Sequence, residues 1–142
     1  MAARRSRVTA GPDPDVAADV APPEPLNDVR LRGRLAAAPL ERELPSGDVI
    51  ATFRLVVDRV PVRGSAPGAG VRVDTLDCAV FLVGVRRRVV RWGPGDVVDV
   101  RGSLRRRFFR TAAGAASRYE VEVRSADRVA RATEVARATM SG

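Results

Sequence analysis

Val29-Arg30-Leu31-Arg32-Gly33-Arg34-Leu35 is the stretch from which the fold of this 142-residue chain can be read. Laid out as a β-strand, it sends Val29, Leu31, Gly33 and Leu35 to one face and Arg30, Arg32 and Arg34 to the other. That is the pattern of a half-buried strand. The turn residues Pro45-Ser46-Gly47-Asp48 follow, and then Val49, Ala51, Phe53, Leu55 and Val57 alternate with Thr52, Arg54 and Asp58. Beyond a Gly/Pro-rich stretch from Pro61 to Gly70, expected to form a long hairpin loop, period two returns between about Val71 and Val83. There Leu76, Cys78, Val80 and Leu82 share one face, and Thr75, Asp77, Ala79 and Phe81 share the other.

The period then changes. Val85, Val89 and Trp92 stand at helical spacing, stopped by Gly93-Pro94-Gly95. Alternation resumes with Val98, Val100, Gly102 and Leu104 inward and Arg101, Ser103, Arg105 and Arg107 outward. A loop is expected from Arg110 to Ser117, and a last strand at Tyr119, Val121 and Val123. Five short strands with one short helix between the third and the fourth describe a small closed all-β barrel. Residues 26–125 are expected to form that domain. Residues 1–25 hold five of the ten prolines and no apolar period, so a disordered N-terminal arm is expected. Residues 126–142 are expected to be a flexible C-terminal tail.

Charge narrows the function. Arginine supplies all 25 basic residues against 17 acidic ones, for a net charge of +8. Of these, 19 arginines and 11 acids fall between Leu26 and Ser125, so the excess belongs to the barrel rather than to a tail. A basic fold points to a polyanionic partner. Enzyme chemistry has little to stand on. The chain has no histidine, and its one cysteine, Cys78, lies in an apolar run and is expected in the core. No cofactor and no metal site are expected. Neither a secretory h-region after Met1-Ala2-Ala3-Arg4-Arg5 nor an apolar run of transmembrane length occurs, so a cytoplasmic protein without a membrane partner is expected.

Together these segments resemble the bacterial single-stranded-DNA-binding protein family. The resemblance is carried by Asn27-x-Val29-x-Leu31-x-Gly33-Arg34-Leu35, Pro39-Leu40 and Leu44-Pro45-Ser46-Gly47. It continues through Ala51-x-Phe53-x-Leu55-x-Val57-x-Arg59, Cys78-Ala79-Val80-Phe81 and Gly95-Asp96-x-Val98-x-Val100-x-Gly102-x-Leu104. What the resemblance implies is a five-stranded OB-fold Greek-key barrel that binds single-stranded DNA in replication, repair and recombination at the nucleoid. It also implies a homo-oligomer, tetramer before dimer. Folds of this kind join a basic groove that tracks phosphates to aromatic faces on which bases stack.

On that basis Phe81 and Phe109, which match two of the family's stacking positions, are the expected stacking residues. Arg30, Arg32, Arg34, Arg54, Arg59, Arg105 and Arg107 are the expected phosphate contacts. Phe53 and Trp92 are expected in the core, and Phe108, with inward parity, is expected to pack. Arg86-Arg87-Arg88 is equally well explained as the solvated face of a helix. Three positions depart from the family: Val60 and Thr75 replace common aromatics, and Asp77 puts a negative charge beside Phe81. The chain also ends Met140-Ser141-Gly142 without the family's acidic tip, so partner recruitment through such a tip is not expected. The competing reading is an OB-fold interaction module, a primosome-like accessory protein with weak nucleic-acid binding.

Overall fold

Alternation along Val29–Leu35 becomes strand β1, whose side chains alternate between half-buried and exposed until Leu35 enters the core. The computed structural model describes residues 20–60 and 72–141. Most of the N-terminal arm and the whole Pro61–Gly70 loop lie outside them. The remaining elements are β2 (Leu40–Glu43), β3 (Val49–Asp58), β4 (Val73–Val80), α1 (Val83–Val89), β5 (Val97–Thr111), β6 (Gly114–Ala130) and α2 (Ala132–Ser141).

The strands follow the order β1-β5-β6-β4-β3-β2, and a further β1–β3 pairing closes the first five into a ring. Closure removes the free edges that an open sheet would expose. Among the described residues, only β4 and β6 pair in parallel. β2 stays outside the ring as a wing on β3, paired from Leu40 opposite Thr52 to Glu43 opposite Val49. The sequence pattern did not separate this strand, because all four of its residues are exposed and carry no alternation.

Inside the ring sit Leu35, Phe53, Leu55, Cys78, Val80, Val98, Val100, Val121 and Val123. α1 adds Val89, with Trp92 just beyond it, and the Trp92 ring meets Phe53 edge-on at 6.4 Å between centroids. Each such side chain, fully withdrawn from water, stabilises the fold by about 1.5–3 kcal/mol. β6 leaves no room for a side chain at Gly102, where a Cβ would lie 2.0 Å from the Glu122 carbonyl oxygen. The register slips there, with Arg101 opposite Ser125 and Gly102 opposite Val123. Such bulges sharpen the twist that lets a sheet close.

Two expectations change. The segment Arg110 to Ser117 is not a loop. β5 and β6 pair without interruption from Gly102 opposite Val123 to Thr111 opposite Gly114. Ala112 and Ala113 alone make the turn, with Thr111 Oγ1 accepting from the Ala113 N–H and donating to the Gly114 carbonyl. Gly114 supplies the positive φ of 124° that this turn requires. Nor does structure stop at Ser125. β6 runs five residues further, burying Ala126 opposite Val100. α2 follows, its first turn tied to the barrel where Asp96 accepts the Ala132 N–H at 2.8 Å. Among the described residues no helix is long and apolar enough to cross a membrane.

Candidate nucleic-acid interface

β5 pairs with β1 only as far as Gly102, and β6 pairs with β4 only at Val121–Val123. Past those points the two strands leave the ring as a two-stranded ribbon. Asn27 marks the departure, donating to the Leu104 carbonyl and accepting from the Leu104 N–H, both at 2.8 Å. Register then sorts the ribbon's side chains. Arg105, Arg107 and Phe109, opposite Glu120, Arg118 and Ala116, take one face; Leu104, Arg106 and Phe108, opposite Val121, Tyr119 and Ser117, take the other.

The first of these faces bends over the outside of β3 and β4 and makes a groove of about 440 Å³. Arg42, Leu44, Ile50 and Thr52 of the β2–β3 wing form one wall. Phe81, Arg107, Phe108, Phe109 and Arg118 form the other, with Ala79 and Glu120 on the floor. Each stacking candidate already has a guanidinium beside it. Arg107 lies 5.1 Å from the Phe81 ring centroid and Arg118 lies 5.5 Å from that of Phe109. Such contacts hold a planar cation against an aromatic plane, and a base can stack on either partner.

Glu120 is 7 % exposed, and a carboxylate so far from water needs a counter-charge. Arg107 supplies it, donating from Nε at 3.0 Å and also reaching Glu122 at 3.1 Å, while Arg118 Nε stands 3.9 Å from Glu120. With Arg42, the lining thus holds three guanidinium groups against one carboxylate. The chemistry fits a polyanion along the walls and flat apolar rings between them. A phosphate would be repelled from the floor.

The structure therefore brings together Phe81, Phe109 and Arg107 and separates the rest of the expected set. Arg105 shares the ribbon face but sits 3.6 Å from Glu122. Arg30 borders a different, smaller cavity of about 200 Å³ beside Asp99, Arg101 and Asp127. Arg32 is held by Asp99, Arg34 by Asp58, Arg54 by Asp77 and Arg59 by Asp74. Strand pairing explains much of this, since it sets Arg32 opposite Asp99 and Arg54 opposite Asp77. Hydrogen bonds from these arginines hold the Asp74 and Asp99 carboxyls below the usual carboxylate range. Outward parity was read correctly. Neutralisation by the neighbouring strand could not be read from one strand alone.

Phe108 overturns an expectation. Its parity is inward, yet it is 74 % exposed, because at that point the ribbon has left the barrel and no inside remains. Arg42, Arg118 and Glu120 were missed as site residues. Arg42 lies on the unforeseen wing. Arg118 and Glu120 lie on β6, whose first residues were read as loop, although the unbroken run from Leu104 to Phe109 was a signal that pairing continues.

The model of the single-strand binding protein family matches residues 26–130. No curated protein matches the chain. Among solved structures, the complex of Plasmodium falciparum SSB with ssDNA aligns with a TM-score of 0.61 at 23 % identity, over 78 % of this chain and 98 % of that one. That likeness is one of fold, the OB barrel.

Proposed function

The chain belongs to the single-strand binding protein family, and we propose that it binds single-stranded DNA, with little regard to sequence, in the groove between the β2–β3 wing and the ribbon. The observation that carries this reading is the convergence on one groove of Phe81, just past the end of β4, with Arg107 and Phe109 of β5 and Arg118 of β6. Bases stack on the two rings, and Arg42, Arg107 and Arg118 face the phosphates. Family membership and the net charge of +8 support a role on single strands exposed in replication, repair and recombination. They also support a place in the cytoplasm at the nucleoid, and binding rather than catalysis as the activity. The test is fluorescence anisotropy on a labelled dT oligomer. Phe81→Ala and Phe109→Ala should each weaken binding by about 1–3 kcal/mol, with duplex competing poorly. Unchanged affinity in both variants removes the stacking mechanism, and equal affinity for duplex reduces the protein to a polycation.

The same reading includes assembly, tetramer before dimer. Its support is the resemblance to the family. Light scattering at micromolar concentration checks it, and a clean monomer counts against it.

A second reading has its own support. Arg32, Arg34, Arg54 and Arg59 are engaged with aspartates on the barrel surface, which reduces the charge that surface offers to phosphate. Such economy suits an accessory interaction module, and absence of DNA binding even at low salt would favour it.

A further inference from the structure

The ribbon has a second face, and its chemistry differs from that of the groove. Leu104, Arg106, Phe108 and Arg110 of β5 alternate onto it, opposite Val121, Tyr119, Ser117 and Ala115 of β6. No acidic residue occurs among them, whereas Glu120 and Glu122 both fall on the groove side. Phe108 is 74 % and Tyr119 59 % exposed. Arg106 lies between their rings, its guanidinium carbon 5.1 Å from the Phe108 centroid and 5.5 Å from the Tyr119 centroid, and its Nε donates to Ser117 Oγ at 3.2 Å. Aromatic rings and a hydroxyl, not carboxylates, therefore hold this arginine in place. Its charge is fixed in position and left uncancelled.

We propose that this face, built on Arg106, Phe108, Arg110 and Tyr119, is a second binding surface for single-stranded nucleic acid. A strand leaving the groove passes around the free edge of β5 and continues along it. This rests on the groove's being a single-strand site, as proposed above. Continuity is given by Phe108, which borders the groove as well as lying on this face. The ingredients are those of a stacking platform: exposed rings, a guanidinium plane between them, and arginines with no competing acid. A second copy of the chain is the other conceivable occupant. A two-fold contact, however, sets a patch against itself. Here that would bring Arg106 and Arg110 against their own copies with no carboxylate on either side, which is costly for buried guanidinium groups. Charge complementarity selects the polyanion.

Two oligomer lengths separate the surfaces: dT of about 6 nucleotides, near the lower end of what one OB fold covers, and of about 30, beyond the upper end. Binding of both is measured for the full chain, Tyr119→Ala and Arg106→Gln, with thermal melting as a check on folding and light scattering for mass. The short oligomer should bind all three proteins equally. The long one should bind Tyr119→Ala about 5-fold to 150-fold more weakly, the range that one stacked base is worth. Arg106→Gln should lower the salt dependence of long-oligomer binding by about 0.7 in log K against log salt, one phosphate's worth. Equal effects on both lengths, or none on either, overturn the proposal. So does a loss of mass in either variant, which makes the face an interface between copies. Failure of the unmodified protein to bind either oligomer overturns the groove reading and this one together; normal short-oligomer binding with an indifferent ribbon overturns this one alone.

Discussion

Cys78 sits on the inner face of β4 with only 2 % of its surface exposed. Burial pushes its thiol up to about 12, helped by the negative charges of Asp77 and Glu120. The thiolate is the reactive form, so at pH 8 the folded protein should hold this sulfur inert. A thiol-reactive dye should label Cys78 at the ordinary rate in denaturant and scarcely at all without it. Fast labelling of the native protein would mean that β4 opens readily. The same residue-scale logic applies to the arginines. An exposed ion pair is worth about 0–1 kcal/mol, so pairing with aspartate lowers their readiness for phosphate without abolishing it.

Among the elements, the junction of β5, β6 and α2 depends on one side chain. Asp96, 6 % exposed, accepts from the Gly93 N–H at 2.9 Å and the Ala132 N–H at 2.8 Å, and Arg128 stands at 3.4 Å. Burial alone would raise its pKa. The two N–H donors and the Arg128 guanidinium more than offset that and hold the carboxyl below its ordinary value. A carboxyl depressed in the folded state contributes stability that is fully present above its unfolded pKa, near 4, and is lost as pH falls through the folded value. Asp96→Ala should therefore cost about 1–3 kcal/mol at neutral pH by leaving two partly buried N–H groups without an acceptor. Its urea midpoint should also fall less steeply than that of the parent chain below about pH 4. An identical acid profile in the two proteins would remove Asp96 from the account.

At the scale of the molecule, a net charge of +8 suggests strong salt dependence, but the ion-pair pattern suggests otherwise. If only Arg42, Arg107 and Arg118 neutralise phosphates on a short strand, log K against log salt should fall with a slope of about −2, from about −0.7 for each phosphate. A titration series across salt concentrations measures it. A slope several times steeper would mean that the barrel arginines leave their aspartates for phosphate, and that the binding surface extends beyond the groove.

How much of this was legible beforehand follows from the range over which each cause acts. Period-two alternation at Val29–Leu35, Val49–Asp58 and Val97–Leu104 is a local property of a half-buried strand. With the helical spacing of Val85, Val89 and Trp92, it was enough for a closed barrel with Phe53 and Trp92 in its core. Phe81 and Phe109 were legible as outward rings by parity. Parity states only which side of a strand a residue takes, not whether the strand still has a barrel behind it. Phe108 was therefore placed on the right face and wrongly assigned a packing partner. Ion pairing between arginines and the aspartates of neighbouring strands, the β2 wing that brings Arg42 to the groove, and the buried acceptor Asp96 all depend on register between distant segments. Tertiary structure alone decides register, because it is set by closure of the ring and not by any single strand.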